Sequence, residues 1–297
     1  MRVIRENSQW GKIEKNYMMK EVTSFKIGGP VDFFIEPENV DQLKSCILDL
    51  EKEKYPWMIM GLGSNMVVSD KGIRGAVIRL GKNFSKISIE GLEVRAQAGA
   101  SLKSVAEYAR DHGLGGLEFA HGIPGSIGGA MTMNAGAYDG EMKDVVQSVL
   151  VMDKEGKIHE LSNEEMHFVY RNSRVQEDGF IVLETIFRLE VKDKEAITEK
   201  MDDLWNRRLS KQPLEYPSAG STFKRPPGYY AGQLIDQAGL RGLKHGGAQV
   251  SQKHCGFVIN ADNATCQDVV ELIKIVQESV LLEHGVNLET EVKVIGE

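Results

Sequence analysis

Two rhythms of apolar residues alternate along the chain. VDFFIEP (31–37) is a short apolar run closed by proline and reads as a strand. Directly after it, Val40, Leu43, Ile47 and Leu50 recur at the spacing of one helix face and predict a helix over 40–54. PWMIMGLGSNMVVSD (56–70) predicts a strand, a glycine turn and a second short strand. GAVIRL (75–80), KISIEG (86–91) and LEVRAQAG (92–99) are further strands, the last two joined at Gly91. Ser101 is placed to cap a helix whose apolar face is Leu102, Val105, Ala106 and Ala109 and which stops at Gly113.

The strand rhythm returns in VQSVLVMDKEGKIHEL (146–161), a hairpin with its turn near Glu155-Gly156, and in the long run FIVLETIFRLEV (180–191). A helix over about 194–210 ends before Pro213. LEYPSAGSTFKRPPG (214–228) is rich in Pro, Gly and Ser and reads as a junction. Beyond it YYAGQLIDQAGL is helical, FVIN (257–260) is a short strand, and Thr265 with Asp268 forms a capping box. The box opens a helix with Val269, Val270, Leu272, Ile273, Val276 and Val280 facing a core, and LETEVKVIG (288–296) closes as a strand. No repeat of fixed period and no low-complexity tract interrupts this order. The class is α+β.

The length, 297 residues, allows two or three domains, and 41% apolar with 27% charged residues is ordinary for a globular protein. The net charge of −7 argues against nucleic acid as a partner, because such binding runs on clustered Lys and Arg. No uncharged apolar run reaches membrane-spanning length, and the polar start MRVIRENSQWGKIEKNYMMKEV does not read as a signal peptide. Cys46, Cys255 and Cys266 are odd in number and show no metal-ligand spacing, so they read as buried small hydrophobes in a reducing cytoplasm, and no metal is expected.

HGIPGSIGGAMTMNAGAY (121–138) holds Gly122, Gly125, Gly128, Gly129 and Gly136. Tight turns explain such a cluster as well as a cradle of backbone N–H groups around a phosphate does. Several nucleotide and catalytic motifs fail here. GLGSNM has Met66 at its sixth position and no helix behind it, so the dinucleotide fingerprint is not met. The Walker pattern and HExxH are absent, and PGSIG has Pro124 where a hydrolase elbow needs glycine. Two glycine loops about sixty residues apart remain, GLGSN and GIPGSIGG, which together can hold the two ends of an extended diphosphate cofactor.

TSFKIGG (23–29), GLGSNMVVSD (61–70), GIPGSIGGAMTMNAGAY (122–138), YRNS (170–173), SAGSTFKRP (218–226), LIDQAGLRG (234–242) and LETEVKVIG (288–296) occur in one order. This succession resembles the UDP-N-acetylenolpyruvoylglucosamine reductases, the flavoenzymes of bacterial peptidoglycan precursor synthesis. The resemblance implies a three-domain α+β flavoprotein with a vanillyl-alcohol-oxidase-type (PCMH-type) pair of FAD-binding domains and a C-terminal α+β substrate domain. The implied division is 1–80 with the C-terminal strand 289–297, then 81–215, then 216–288. Only fifty residues separate Arg171 from Ser221, which matches the family's shorter form, without a Tyr-bearing loop.

The implied reaction is the NADPH-dependent, FAD-mediated reduction of the enolpyruvyl group of UDP-N-acetyl-3-O-(1-carboxyvinyl)glucosamine to give UDP-N-acetylmuramate. It is cytoplasmic, with noncovalent FAD and no membrane insertion. Adding hydride to the vinyl carbon leaves negative charge beside the carboxylate, so the site needs a cation, a proton source and a carboxylate anchor. By the family's pattern Arg171 grips the carboxylate, as a planar, always-charged fork can. Ser221 delivers the proton, with Ser218 the competitor on local composition. Glu291 supports the enolate and should have a raised pKa, with Glu289 two residues away as its competitor.

The same pattern assigns FAD to Gly61, Leu62, Gly63, Ser64, Asn65 and Met66, and to Gly122, Ile123, Pro124, Gly125, Ser126, Gly128 and Gly129. It adds Asn134, Ala135, Gly136, Ala137, Tyr138 and Val182. Tyr170, Lys211 and Arg225 are assigned to the UDP-sugar, Arg225 standing where the longer form has Asn. His121, Tyr229, Lys244, His245 and His254 read as structural or surface residues. Two other classes stay open from the residues: another flavin oxidase of the same cofactor fold acting on an alcohol or sugar, and a non-catalytic nucleotide-binding protein. Neither needs Arg171, Ser221 and Glu291 together.

Overall fold

Parallel pairing of Trp57–Met60 with Ile73–Arg79 places Gly61 at the carboxyl end of a half-buried strand, and this positions the first glycine loop. The two strands belong to a four-stranded sheet ordered Lys12–Met18, Pro30–Glu36, Ile73–Arg79, Trp57–Met60. These relations come from a computed structural model, which describes residues 8–138 and 140–297. Helix α1, Val40–Lys52, follows the second of these strands in sequence. Asn39 caps it by accepting the Gln42 N–H at 2.9 Å, and Leu43, Cys46, Ile47 and Leu50 form its buried face.

A second, wholly antiparallel sheet has the order Ile158–Ser162, Val146–Met152, Ile181–Arg188, Glu93–Gln97, Ile87–Glu90. Helix α2, Leu102–Asp111, is capped by Ser101, whose Oγ accepts the Ser104 N–H at 3.0 Å. Helix α3, Ile127–Met133, forms inside the glycine-rich segment despite two glycines, because Ser126 caps it and Ile127 and Met131 are fully buried. A short helix α4, Arg174–Asp178, and the long helix α5, Lys194–Lys211, follow.

The chain divides into two compact units. The first takes the chain to Lys15, Phe33–Leu62 and Gly75–Arg208, around a core that includes Trp10, Leu43, Phe84, Val149 and Phe187. The second takes Asn16–Asp32, Gly63–Arg74 and Leu209–Glu297. Its core gathers Phe25, Ile27, Val67, Phe223, Ile235 and Val276. It contains helices α6, Ala231–Gln237, and α7, Cys266–His284, and a sheet ordered Lys244–His245, Ala248–Val250, Val258–Asn260.

Two strands differ from the expectation drawn from apolar runs. FIVLETIFRLEV is interrupted at Leu189: Ile181–Arg188 lies in the five-stranded sheet, while Glu190–Val191 pairs with Leu114–Gly115. LETEVKVIG is likewise divided between partners. Thr290 bridges Phe223, whereas Lys293–Ile295 runs parallel to Met66–Val68. Among the described residues, no helix is long and apolar enough to cross a membrane.

Candidate active site

The glycine segment is built on helix α3 and on backbone bonds to its neighbours. Leu102 N–H donates to Gly125 O at 3.0 Å, Ile127 N–H to Ala100 O at 2.9 Å and Gly128 N–H to Ala98 O at 2.8 Å. The first amides of α3 are therefore committed to the protein. The loop Gly61–Asn65 differs: none of its N–H groups donates to a backbone carbonyl among the described residues. Such a row of uncommitted donors fits a bound diphosphate.

The glycines separate by what surrounds them. A Cβ on Gly61 would stand 2.1 Å from Ser126 Oγ, so the two glycine loops touch within the first unit. A Cβ on Gly122 would meet Arg208 Nε at 2.8 Å, and one on Gly136 would meet Gly140 O at 2.7 Å. Gly128 is tight against Ala98. These four are required by protein packing. Gly129 is exposed, and a Cβ there would have only ordinary contact, 3.6 Å, with Ser126 Oγ. Nothing in the protein demands glycine at 129, and that space fits a ligand lying on the loop.

The remaining cradle residues are placed as follows. Ile123 and Ala135 pack against the core, Pro124 is exposed, and Gly136–Ala137 pairs with Gly140–Glu141. Leu62 and Ser64 are half-buried, Gly63 is buried, and Met66 begins the strand beside Lys293–Ile295. Val182 is buried in the five-stranded sheet opposite Val151. Asn134 is buried with a left-handed backbone, and its side chain belongs to the scaffold: Nδ2 donates to Glu141 Oε2 at 2.8 Å and to Val169 O at 3.3 Å. Tyr138 also has a left-handed φ of +52°.

Sequence reasoning missed Arg208. It lies on the buried stripe Ile197, Met201, Leu204, Arg208 of α5, and that helical spacing was the available signal. Its guanidinium packs against Gly122 and stands 5.7 Å from the Tyr138 ring centre, and burial pushes its pKa down. His121, beside it in the chain, packs against Trp205 and has Nε2 3.3 Å from Glu107 Oε1.

Arg171 sits in a two-residue turn closed on both sides: Val169 N–H donates to Asn172 O at 3.1 Å and Asn172 N–H to Val169 O at 3.2 Å. Its φ is +57°, a conformation that costs a non-glycine L-residue energy and persists only where the surroundings enforce it. The exposed Tyr170 ring centre lies 5.1 Å from the Arg171 guanidinium. The turn is fastened to the end of α3, since Ser173 Oγ donates to Thr132 O at 3.1 Å and Gln176 Nε2 donates to the same carbonyl at 2.9 Å.

In the second unit the segments that carry Ser221 and Glu291 are joined by backbone hydrogen bonds. Glu291 N–H donates to Thr222 O at 2.8 Å, and Lys224 N–H donates to Glu289 O at 2.8 Å. Thr222 is the fixed point: its N–H donates to Gly256 O at 2.8 Å, and its buried Oγ1 accepts Val258 N–H at 2.9 Å. Asn65 Nδ2 donates to Glu291 O at 3.3 Å, which adds the first glycine loop to this cluster. The two candidate carboxylates differ. Glu289 is exposed and pairs with Lys224 at 3.1 Å, while Glu291 is half-buried. Ser218 is held elsewhere, its carbonyl accepting Ser24 Oγ at 2.7 Å.

Lys211 is exposed at the end of α5, and Arg225 is exposed with its guanidinium 4.1 Å from the Tyr230 ring centre. Tyr229 and Lys244 are exposed, and His245 Nε2 lies 2.5 Å from Glu271 Oε2. His254 is packed between Gly232 and Gly256, where burial, more than the neighbouring cations, pushes its pKa down.

Two touching glycine loops with uncommitted amides fit the diphosphate of a nucleotide cofactor, and the match of residues 31–162 to the family model described as an FAD binding domain makes this an FAD-binding protein. A second model, the C-terminal domain of UDP-N-acetylenolpyruvoylglucosamine reductase, matches residues 212–295. Proteins of that name are similar over nearly the whole chain. The one from Caldanaerobacter subterraneus subsp. tengcongensis is 52% identical, covering 99% of this chain and 97% of its own length. The one from Clostridioides difficile is 49% identical, covering 94% and 92%. The crystal structure of the Thermus caldophilus reductase superposes with a TM-score of 0.84 at 36% identity, over 95% of this chain and 98% of that one. The chain belongs to the UDP-N-acetylenolpyruvoylglucosamine reductase family. The match over 212–295 decides against the oxidase and scaffold alternatives.

Proposed function

We propose that Arg171, Ser221 and Glu291 carry the substrate half of the family reaction, the NADPH-dependent reduction of the enolpyruvyl UDP-sugar to UDP-N-acetylmuramate for peptidoglycan. Bound FAD supplies the hydride-carrying chemistry between NADPH and the enolpyruvyl group. The residues described here do the rest. The Arg171 fork holds the substrate carboxylate and the charge that grows beside it when the vinyl carbon receives hydride. Ser221 Oγ donates the proton to the carbon next to the carboxylate. A hydroxyl is a weak acid, yet it suffices against an enolate held in contact. Glu291 hydrogen-bonds the enolate or helps protonate it, directly or through a neighbour. Lys211, Tyr170 and Arg225 contribute to holding the UDP-sugar, and the Gly61–Met66 and Gly122–Tyr138 segments, with Val182, hold FAD without a covalent bond.

The observation that supports this reading is the register in which Thr222 O receives the Glu291 N–H at 2.8 Å, which joins the segment after Ser221 to the segment that carries Glu291. The division into 1–80 with 289–297, 81–215 and 216–288 is proposed with it, supported by the separate four-stranded and five-stranded sheets. A cytoplasmic location is supported by three free, buried thiols and by NADPH as the reductant.

Ser221→Ala tests the assignment by stopped-flow absorbance of the flavin, with the half-reactions run separately. NADPH should reduce the flavin at a near-normal rate, while reoxidation by the enolpyruvyl substrate slows by roughly 10²–10⁴-fold, the loss expected for a positioned general acid. Ser221→Cys should recover part of it. Normal reoxidation in the alanine variant would remove Ser221 from the mechanism.

A further inference from the structure

We infer that Gln176 is a positioning residue for the carboxylate clamp, acting through the backbone of Arg171; this rests on the proposed role of Arg171 above. Gln176 stands on the short helix α4 and is half-buried. Its Nε2 has three acceptors within reach, Thr132 O at 2.9 Å, Asn172 Oδ1 at 3.0 Å and Arg171 O at 3.2 Å, and its two N–H bonds serve them with one hydrogen shared between two. One amide thus ties the end of α3, the side chain following Arg171 and the carbonyl of Arg171 itself. The turn it ties needs such a clamp. Arg171 has φ +57° where a turn of this kind prefers glycine, so an untethered chain would relax toward negative φ and swing the guanidinium away. Ser173 Oγ, which also donates to Thr132 O, and Asn134 Nδ2, which donates to Val169 O, secure the flanks but do not reach Arg171. Nothing in the sequence around 176 signals this role, because the three acceptors are grouped only by folding.

The test compares Gln176→Met and Gln176→Glu with Arg171→Lys in the FAD-loaded enzyme. Methionine keeps length without donors, while glutamate keeps shape but turns a carboxylate toward three oxygen acceptors. A positioning role predicts normal flavin content and near-normal reduction by NADPH in both Gln176 variants. Reoxidation by the enolpyruvyl substrate should slow by about 10–100-fold, as a small misplacement of a clamp does, with glutamate slower than methionine. A spacer role would rank them the other way, since glutamate is the closer match in shape. Arg171→Lys combined with Gln176→Met should be little slower than Arg171→Lys alone, because the two act as a unit. Normal reoxidation in both Gln176 variants, equal slowing of both half-reactions, or simple additivity in the double variant would overturn the proposal. Normal turnover in Arg171→Lys would instead overturn the clamp reading on which it rests.

Discussion

Gly129 and Gly61 share a residue type and differ in reason. Gly61 faces Ser126 Oγ, the cap of α3, at a distance no Cβ tolerates, whereas Gly129 faces open space. Gly129→Val should therefore fold normally and purify without flavin, because the branched side chain fills room the protein leaves for a ligand. Flavin absorbance and circular dichroism of the purified variant check this, and full flavin content would remove the cradle from that position. Gly61→Ala should instead disturb the Ser126 cap and cost stability, about 1–2 kcal/mol by the usual worth of a capping side chain. A thermal melt unchanged by that substitution would show that Ser126 moves aside freely.

Helix α7 shows how an element is held at its start. Thr265 and Asp268 form a reciprocal capping box, and Asp70 accepts Cys266 N–H at 2.9 Å and Gln267 N–H at 3.2 Å. Asp70 lies in the turn that follows strand Met66–Val68, and the positive end of the helix dipole adds to these bonds. The Thr265 backbone N–H, ahead of the Gly247 N–H, lowers the Asp268 pKa. A carboxyl whose folded pKa lies below its unfolded value stabilises the fold above the ordinary aspartate range. That stability is lost as pH falls through the folded pKa. The wild-type melting temperature should therefore drop on acidification below about pH 4. Asp268→Asn should melt lower at neutral pH and lose less on acidification. Melting curves from neutral pH down to about pH 3 test this, and parallel curves for the two proteins would show that Asp268 does not contribute.

At the scale of the whole molecule, the chain passes repeatedly between the two compact units, each assembled from three separate segments. Cys46 belongs to the first unit and Cys255 and Cys266 to the second, and all three are buried. Burial pushes each thiol up, Cys255 and Cys266 to about 11, and for Cys46 well beyond the usual thiol range. The native protein should resist a thiol reagent at pH 8. In rising urea, all three cysteines should become reactive in one transition, because neither unit is a continuous stretch able to unfold by itself. Mass spectrometry of pulse-labelled protein resolves the three sites. Labelling of Cys46 at a clearly different urea concentration from Cys255 and Cys266 would show independent units.

Residue order alone determined the helices with a continuous apolar face and a local cap. The helix expected over 40–54 forms as Val40–Lys52, and Ser101 and Thr265 cap the helices they precede, because periodicity and capping act over a few neighbours. The ordered motifs likewise identified the FAD-dependent reductase family before any geometry was known. Tertiary structure decided what depends on distant partners. Lys12–Met18 is a strand with a largely polar face, made by its place beside Pro30–Glu36 and not by its own pattern. The run 180–191 breaks at Leu189 because its two parts pair with different strands. Gly129 and Gly61 read alike until Ser126 is placed between them, and the left-handed Arg171 with its Gln176 clamp has no local signature at all. Hydrogen bonds between residues far apart in the chain carry no imprint in the spacing of either, so only the folded chain could reveal them.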